Sequence, residues 1–212
     1  MINLTAIRDP AGIATRHVVD SLTGLALLRG RAIDRFIDLG SGGGFPGIPL
    51  AAALPAGRAL LIDSIGKKVR FLATAIDAIG LGQRAVAEAV RSESLAASRA
   101  DRGSWPAVTA RAIGSLAELV EQALPLLRPA GILVAWKRGA LDDPAGLGGE
   151  LAAAGRALAA IDPAGRISVE PVPPAPGLAD LAGHVLVVVE RGPAPIDPVW
   201  PRDPAARRRA PW

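Results

Sequence analysis

The chain has 212 residues, half of them hydrophobic and 21% charged, which suits one domain with a single large core. It has no cysteine and two well-separated histidines, His17 and His184, which excludes disulfides, thiolate zinc sites, thiol nucleophiles and histidine-rich metal sites. Apolar runs such as 185–189 are too short to span a bilayer, and the opening Met-Ile-Asn-Leu-Thr lacks an export pattern, so a cytoplasmic protein is expected.

In chain order, Arg35-Phe-Ile-Asp-Leu39 reads as a strand that runs into a glycine-rich turn. A helix follows from about Pro46 to Leu54, with Pro46 where a missing N–H costs nothing. Ala59–Asp63 is a second strand. Over 67–79, Val69, Leu72, Ala73 and Ile76 share one helical face, and Gly80 ends it. Strands are expected at 85–89, 107–111 and 132–136, with a helix at 115–127 opened by the capping-box pair Ser115 and Glu118. An Ala-rich helix over 147–161 and two last strands, 166–172 and 184–190, complete the domain, the strands joined by the Pro-rich segment 171–177. From Arg191 onward the chain carries five arginines against two aspartates, +3 of a total +4, and beyond Arg191 it reads as an extended basic tail suited to a polyanion. Strands alternating with helices predict a mostly parallel sheet covered on both faces, with ligands bound beyond the carboxyl ends of its strands.

The turn holds five glycines within eight residues, Gly40 to Gly47. Glycine after a strand lets backbone approach a ligand closely. Gly42-Gly43-Gly44-Phe45-Pro46-Gly47 satisfies the dinucleotide fingerprint, with Asp63 about twenty residues on. That match starts three residues past the strand end, however, and Pro46 and Pro49 remove N–H donors that a pyrophosphate needs. The in-register series Asp38, Gly40, Gly42, Gly44, with Asp63 at the next strand end, instead suits S-adenosylmethionine. That cofactor has no phosphate, and it needs acceptors for an amino group and for ribose hydroxyls. Lys67, Lys68 and Arg70 open a helix at the end where its dipole disfavours cations, which points to a phosphate-side or cofactor-side role. Lys137, at the fifth strand's end, points to the ligand edge.

Five blocks carry a resemblance: Asn3–Ile7, Arg16–Leu22, Asp38–Pro49, Asp63–Leu72, and Thr109–Ile113 with Leu133–Lys137. On them the sequence resembles the bacterial small-subunit ribosomal RNA guanine-N7 methyltransferases, the RsmG or GidB family. The resemblance implies a Rossmann-like class I S-adenosylmethionine-dependent methyltransferase fold, an α/β architecture with a seven-stranded, mostly parallel sheet. It implies an N-terminal helical segment over 1–30, shorter than in most members, then the methyltransferase domain over 31–191 and the tail over 192–212. Carried over by position, cofactor contacts fall on Gly40, Phe45, Ser92, Glu93 and Arg111, with Asp63 added on the ribose argument. Substrate contacts are expected from Arg16, His17, Lys67, Lys68 and Lys137. The implied substrate is a guanine in a loop of 16S ribosomal RNA, as free RNA or in the small subunit, with no metal and no membrane. A methyltransferase on another RNA or on a small molecule, a non-catalytic RNA-binding assembly factor, and a nicotinamide-binding oxidoreductase are the alternatives.

Overall fold

A computed structural model describes residues 7, 9–54, 57–172 and 179–212. The first elements among the described residues are helical turns, α1 (Pro10–Ile13), a π turn (Ala14–Val19), α2 (Asp20–Leu22) and α3 (Leu25–Gly30). Strands and helices then alternate: β1 (Arg35–Leu39), α4 (Gly47–Ala53), β2 (Arg58–Ile62), α5 (Gly66–Ala78), β3 (Ala85–Glu88), α6 (Ser92–Ala97) and β4 (Trp105–Arg111). After them come α7 (Leu116–Ala123), β5 (Leu127–Arg138), α8 (Leu147–Ile161), β6 (Arg166–Pro171), β7 (His184–Glu190) and α9 (Pro204–Arg209).

The strands form one sheet in the order β3-β2-β1-β4-β5-β7-β6. β1 to β5 are parallel, and β7 runs antiparallel between β5 and β6. This is the expected mostly parallel seven-stranded sheet. Chain order reverses between β1 and β4, so the crevice beyond their carboxyl ends is the place for a ligand.

Side-chain alternation divides the core between two faces. Ile37, Leu39, Val108, Ala110, Leu133 and Ala135 pack towards α7 and α8. Phe36, Ala59, Leu61, Ile132, Val134 and Trp136 pack towards Leu28 of α3, Leu50 of α4 and Leu72 and Ile76 of α5. Each fully buried leucine here contributes roughly 1.5–3 kcal/mol. The capping box of α7 forms as expected, with Ser115 Oγ accepting from Glu118 N–H and the Glu118 carboxylate accepting from Ser115 N–H.

Two expectations change. The helix over 115–127 ends at Ala123, and β5 starts at Leu127, because Leu127 pairs with Trp105 of β4. The larger change is at the C-terminus. The segment after Arg191, expected as an extended tail, folds back on the domain and ends in α9. Arg191 is buried, bonded to the Leu127 and Ala194 carbonyls. Arg202 binds Glu121 through Nε at 3.0 Å, Nη2 at 2.7 Å and its backbone N–H at 2.8 Å. Trp212 Nε1 donates to the same carboxylate at 2.7 Å. The Arg202 guanidinium lies 5.4 Å from the Trp200 ring centre and 4.7 Å from that of Trp212. Glu121 is an acid on the apolar face of α7 with no exposure at all, and it draws the arginine in. Burial pushes its carboxyl up, but the hydrogen bonds from Arg202 and Trp212 outweigh burial and the net shift is down.

Candidate functional site

Two clefts open at the carboxyl ends of the strands, and both are lined by Ala112. Ala112 has φ of 55°, left-handed backbone that alanine rarely adopts. Ala32 and Ala130 share this backbone away from the two clefts, at φ of 50° and 58°.

The first cleft, of about 320 Å³, lies over β1, β2 and β3. Its walls include Gly40, Asp63, Lys68, Ser92, Glu93, Ile113, Gln122 and Arg207. Gly40 has φ of +63°, and a Cβ there would lie 2.2 Å from Ile113 Cδ1, so any side chain is strained there and must displace Ile113. Asp63 follows β2 and is 6% exposed. Its Oδ1 accepts from Ile65 N–H at 2.9 Å, and its Oδ2 accepts from Gly42 N–H and Lys68 Nζ, both at 3.2 Å. These bonds aim the carboxylate and leave it acceptor capacity, since a carboxylate has about four lone-pair sites. Ser92 opens α6, and its hydroxyl lies 2.9 Å from Gln122 Oε1 and 3.3 Å from Glu93 Oε2. Arg207 of α9 bonds Glu93 Oε1.

This donor set fits a ribose-bearing cofactor without phosphates. Two carboxylates face the space, and the backbone rim is open. The donors at the start of α4 are already used: Gly47 N–H goes to Asp38 Oδ2 at 3.2 Å, Ile48 N–H goes to the Gly44 carbonyl at 2.7 Å, and Pro49 has none. No free N–H cluster stands there for a pyrophosphate. Asp38 therefore serves differently from the expected amino-group acceptor. Fully buried under the turn, it receives Thr109 Oγ1 at 2.8 Å as well as Gly47 N–H, and burial raises its carboxyl to about 6 despite these bonds. A Cβ on Gly47 would sit 2.7 Å from Asp38 Oδ2, which ties the turn to this carboxyl.

The second cleft, of about 330 Å³, is lined by Arg16, His17, Asp20, Arg111, Trp136, Lys137, Arg138 and His184 besides Ala112. Asp20 is its hub. This carboxylate takes Arg111 Nη1 and His184 Nδ1, each at 2.8 Å, and its backbone carbonyl accepts Trp136 Nε1 at 2.8 Å. Arg111 Nη2 lies 3.1 Å from His17 Nδ1. Arginine can only donate, so Nδ1 accepts and the His17 proton sits on Nε2. Burial, then the Arg111 charge, lowers the His17 pKa, which keeps the ring neutral near pH 7. Phe45 is bracketed by the stacked His17 ring at 4.8 Å and by the Arg111 guanidinium at 5.3 Å.

The structure thus gathers Gly40, Asp63, Ser92 and Glu93 in the first cleft. It gathers Arg16, His17, Arg111 and Lys137 in the second. Arg111 and Phe45, expected beside the cofactor, pack with His17 on the second-cleft side. Lys68, expected to touch substrate, is paired with Asp63 in the first cleft, and Lys137 is paired with Glu150. Lys67 is exposed on α5 and lines neither cleft. Asp20, Gln122 and Arg207 were missed. Asp20 carried a weak signal, since it lies three residues after His17 within a helical stretch and so on the same side.

Among the described residues no group of three or more His, Cys, Asp and Glu could hold a metal ion, and no helix is long and apolar enough to cross a membrane.

A sequence model of the GidB family, described as rRNA small subunit methyltransferase G, matches residues 1–145. The ribosomal RNA small subunit methyltransferase G of Stenotrophomonas maltophilia is 46% identical over 135 residues, covering 64% of this chain and 60% of that one. The protein of the same name from a Roseiflexus species is 42% identical over 173 residues, covering 81% and 69%. The chain spans less than two thirds of the length of the first of these relatives. Among solved structures, an O-methyltransferase from Bacillus cereus in complex with SAH has a TM-score of 0.61 at 16% identity, covering 89% of this chain and 85% of that one. The cyclase SpnF has a TM-score of 0.54 at 22% identity, covering 82% and 81%. The fold is the Rossmann-like class I methyltransferase fold. A methyltransferase and a cyclase share it, so the architecture alone does not fix the reaction.

Proposed function

Because the chain belongs to the rRNA small subunit methyltransferase G family, we propose that it transfers a methyl group from S-adenosylmethionine to N7 of a guanine in a loop of 16S ribosomal RNA. The observation that carries this reading is the pair of clefts sharing Ala112, one walled by aimed carboxylates and the other rimmed by cations. S-adenosylmethionine, when bound, supplies an electrophilic methyl group on a sulfonium sulfur.

Asp63 accepts ribose hydroxyls, with Lys68 and Gly42 N–H holding its carboxylate in place. Ser92 and Glu93 take the adenine side. Gly40 keeps the backbone low enough for the cofactor to lie across it. In the second cleft Arg16, Lys137 and Arg138 meet RNA phosphates. Arg111, fixed by Asp20, holds the neutral His17 against Phe45, which shapes the wall where the guanine enters. Guanine N7 has an in-plane lone pair and no proton to lose, so the residues need supply no general base. Their work is alignment and exclusion of water, and alignment can supply on the order of 7–11 kcal/mol.

The test incubates the protein with labelled S-adenosylmethionine and either naked 16S ribosomal RNA or small subunits from a strain lacking the enzyme. Label at one guanine N7 is expected, and the better substrate identifies the partner. Label at another base, or only on a small molecule, overturns the reading.

A further inference from the structure

We propose that Arg207 is a positioning residue for the cofactor cleft, through which the C-terminal segment sets affinity for S-adenosyl ligands. The inference rests on the reading above and adds a role for a residue 62 positions beyond the stretch that the family model matches.

Arg207 is 9% exposed and lines the first cleft. Nη2 bonds Glu93 Oε1, and Nη1 donates to the Arg202 carbonyl at 2.7 Å. Arg202 is in turn clamped by Glu121 and stacked with Trp200 and Trp212. Glu121 is followed by Gln122, a cleft residue whose Oε1 receives the Ser92 hydroxyl. Contacts therefore run in a closed loop, from Glu93 through Arg207, Arg202 and the α7 pair Glu121–Gln122 back to Ser92. Both ends of the loop are the polar groups expected on the adenine side. Glutamate has three rotatable side-chain bonds, and a carboxylate left loose must be ordered when a ligand binds. Arg207 orders it in advance. Arg208 and Arg209, on the same short helix, are exposed and line neither cleft, so the effect belongs to one arginine rather than to a basic tail.

The experiment is calorimetric titration of the full chain with S-adenosylhomocysteine, with tryptophan fluorescence reporting that the segment bearing Trp200 and Trp212 stays docked. Arg207→Ala is expected to weaken binding about tenfold, with Arg207→Lys recovering most of it and Arg208→Ala matching the parent. In a Glu93→Gln background, Arg207→Ala is expected to have little further effect, because it acts through Glu93. Parent-like affinity in Arg207→Ala with the segment docked overturns the proposal. So does an equal loss in the Glu93→Gln background, which assigns the effect to the fold of the segment. A parent chain that binds no S-adenosylhomocysteine overturns the functional reading itself, and this proposal with it.

Discussion

The two clefts differ in how they handle charge. In the first, both carboxylates have a cation, Asp63 with Lys68 and Glu93 with Arg207, and of the lining cations only Arg91 stands outside these pairs. In the second, four cations, Arg16, Arg111, Lys137 and Arg138, line the cleft with the single carboxylate Asp20, which pairs with Arg111, while Lys137 pairs with Glu150 outside the lining. Balanced, aimed acceptors suit a small ligand recognised by hydroxyls and amines. Excess positive charge suits a polyanion, and attraction of that kind weakens with salt. The difference teaches that cations near a ligand site cannot be assigned to substrate by charge alone, since Lys68 and Arg207 serve carboxylates.

The largest expected effect breaks the second cleft at its hub. Asp20→Ala leaves Arg111 and His184 facing a void, and losing the buried partner of an ion pair costs about 3–5 kcal/mol. Urea denaturation measures it, and a loss below about 1 kcal/mol would show that the cluster is not held by this carboxylate.

Next comes the floor beneath the glycine turn. Asp38 has its carboxyl raised by burial to about 6, so its contribution is full below its unfolded value near 3.8 and is lost as pH rises through about 6. At roughly 1.4 kcal/mol per unit, the stability of the parent relative to Asp38→Asn is expected to fall by about 3 kcal/mol between pH 3 and 8. A difference that stays flat with pH would mean that Asp38 ionises in the fold as readily as in the unfolded chain.

Glu121→Gln tests what holds the C-terminal segment. Loss of the charged acceptor for Arg202 and Trp212 is expected to cost about 1.5–3 kcal/mol. It should also release the buried Arg207 and speed tryptic cleavage within α9. An unchanged digestion pattern would place the anchor elsewhere.

The smallest effect separates the clefts most cleanly. Replacing both Arg16 and Arg138 by alanine should lower RNA affinity and flatten its logarithmic salt dependence by about 1.4, at about 0.7 per single-strand phosphate. S-adenosylhomocysteine affinity should not change. A shift in ligand affinity would mean that the clefts are not independent.

Local signals decided much of this molecule. The alternation of strands and helices, the glycine turn after Leu39, the position of Asp63 at the next strand end and the Ser115–Glu118 cap all lie within a few residues of the chain. Periodicity and turn chemistry act at that range, so the sequence states them openly. Lys68 misled because its charge looked costly at a helix start, while the fold places it within 3.2 Å of Asp63. The tail misled in the same way, because an arginine has the same local signature whether solvated or buried. Only tertiary structure decided the partners: Arg111 meets Asp20 across 91 positions, Arg202 meets Glu121 across 81, and Arg207 meets Glu93 across 114. Such pairings depend on which strand ends and helix faces the sheet order brings together, and they form where burial makes an unpaired charge too costly to keep.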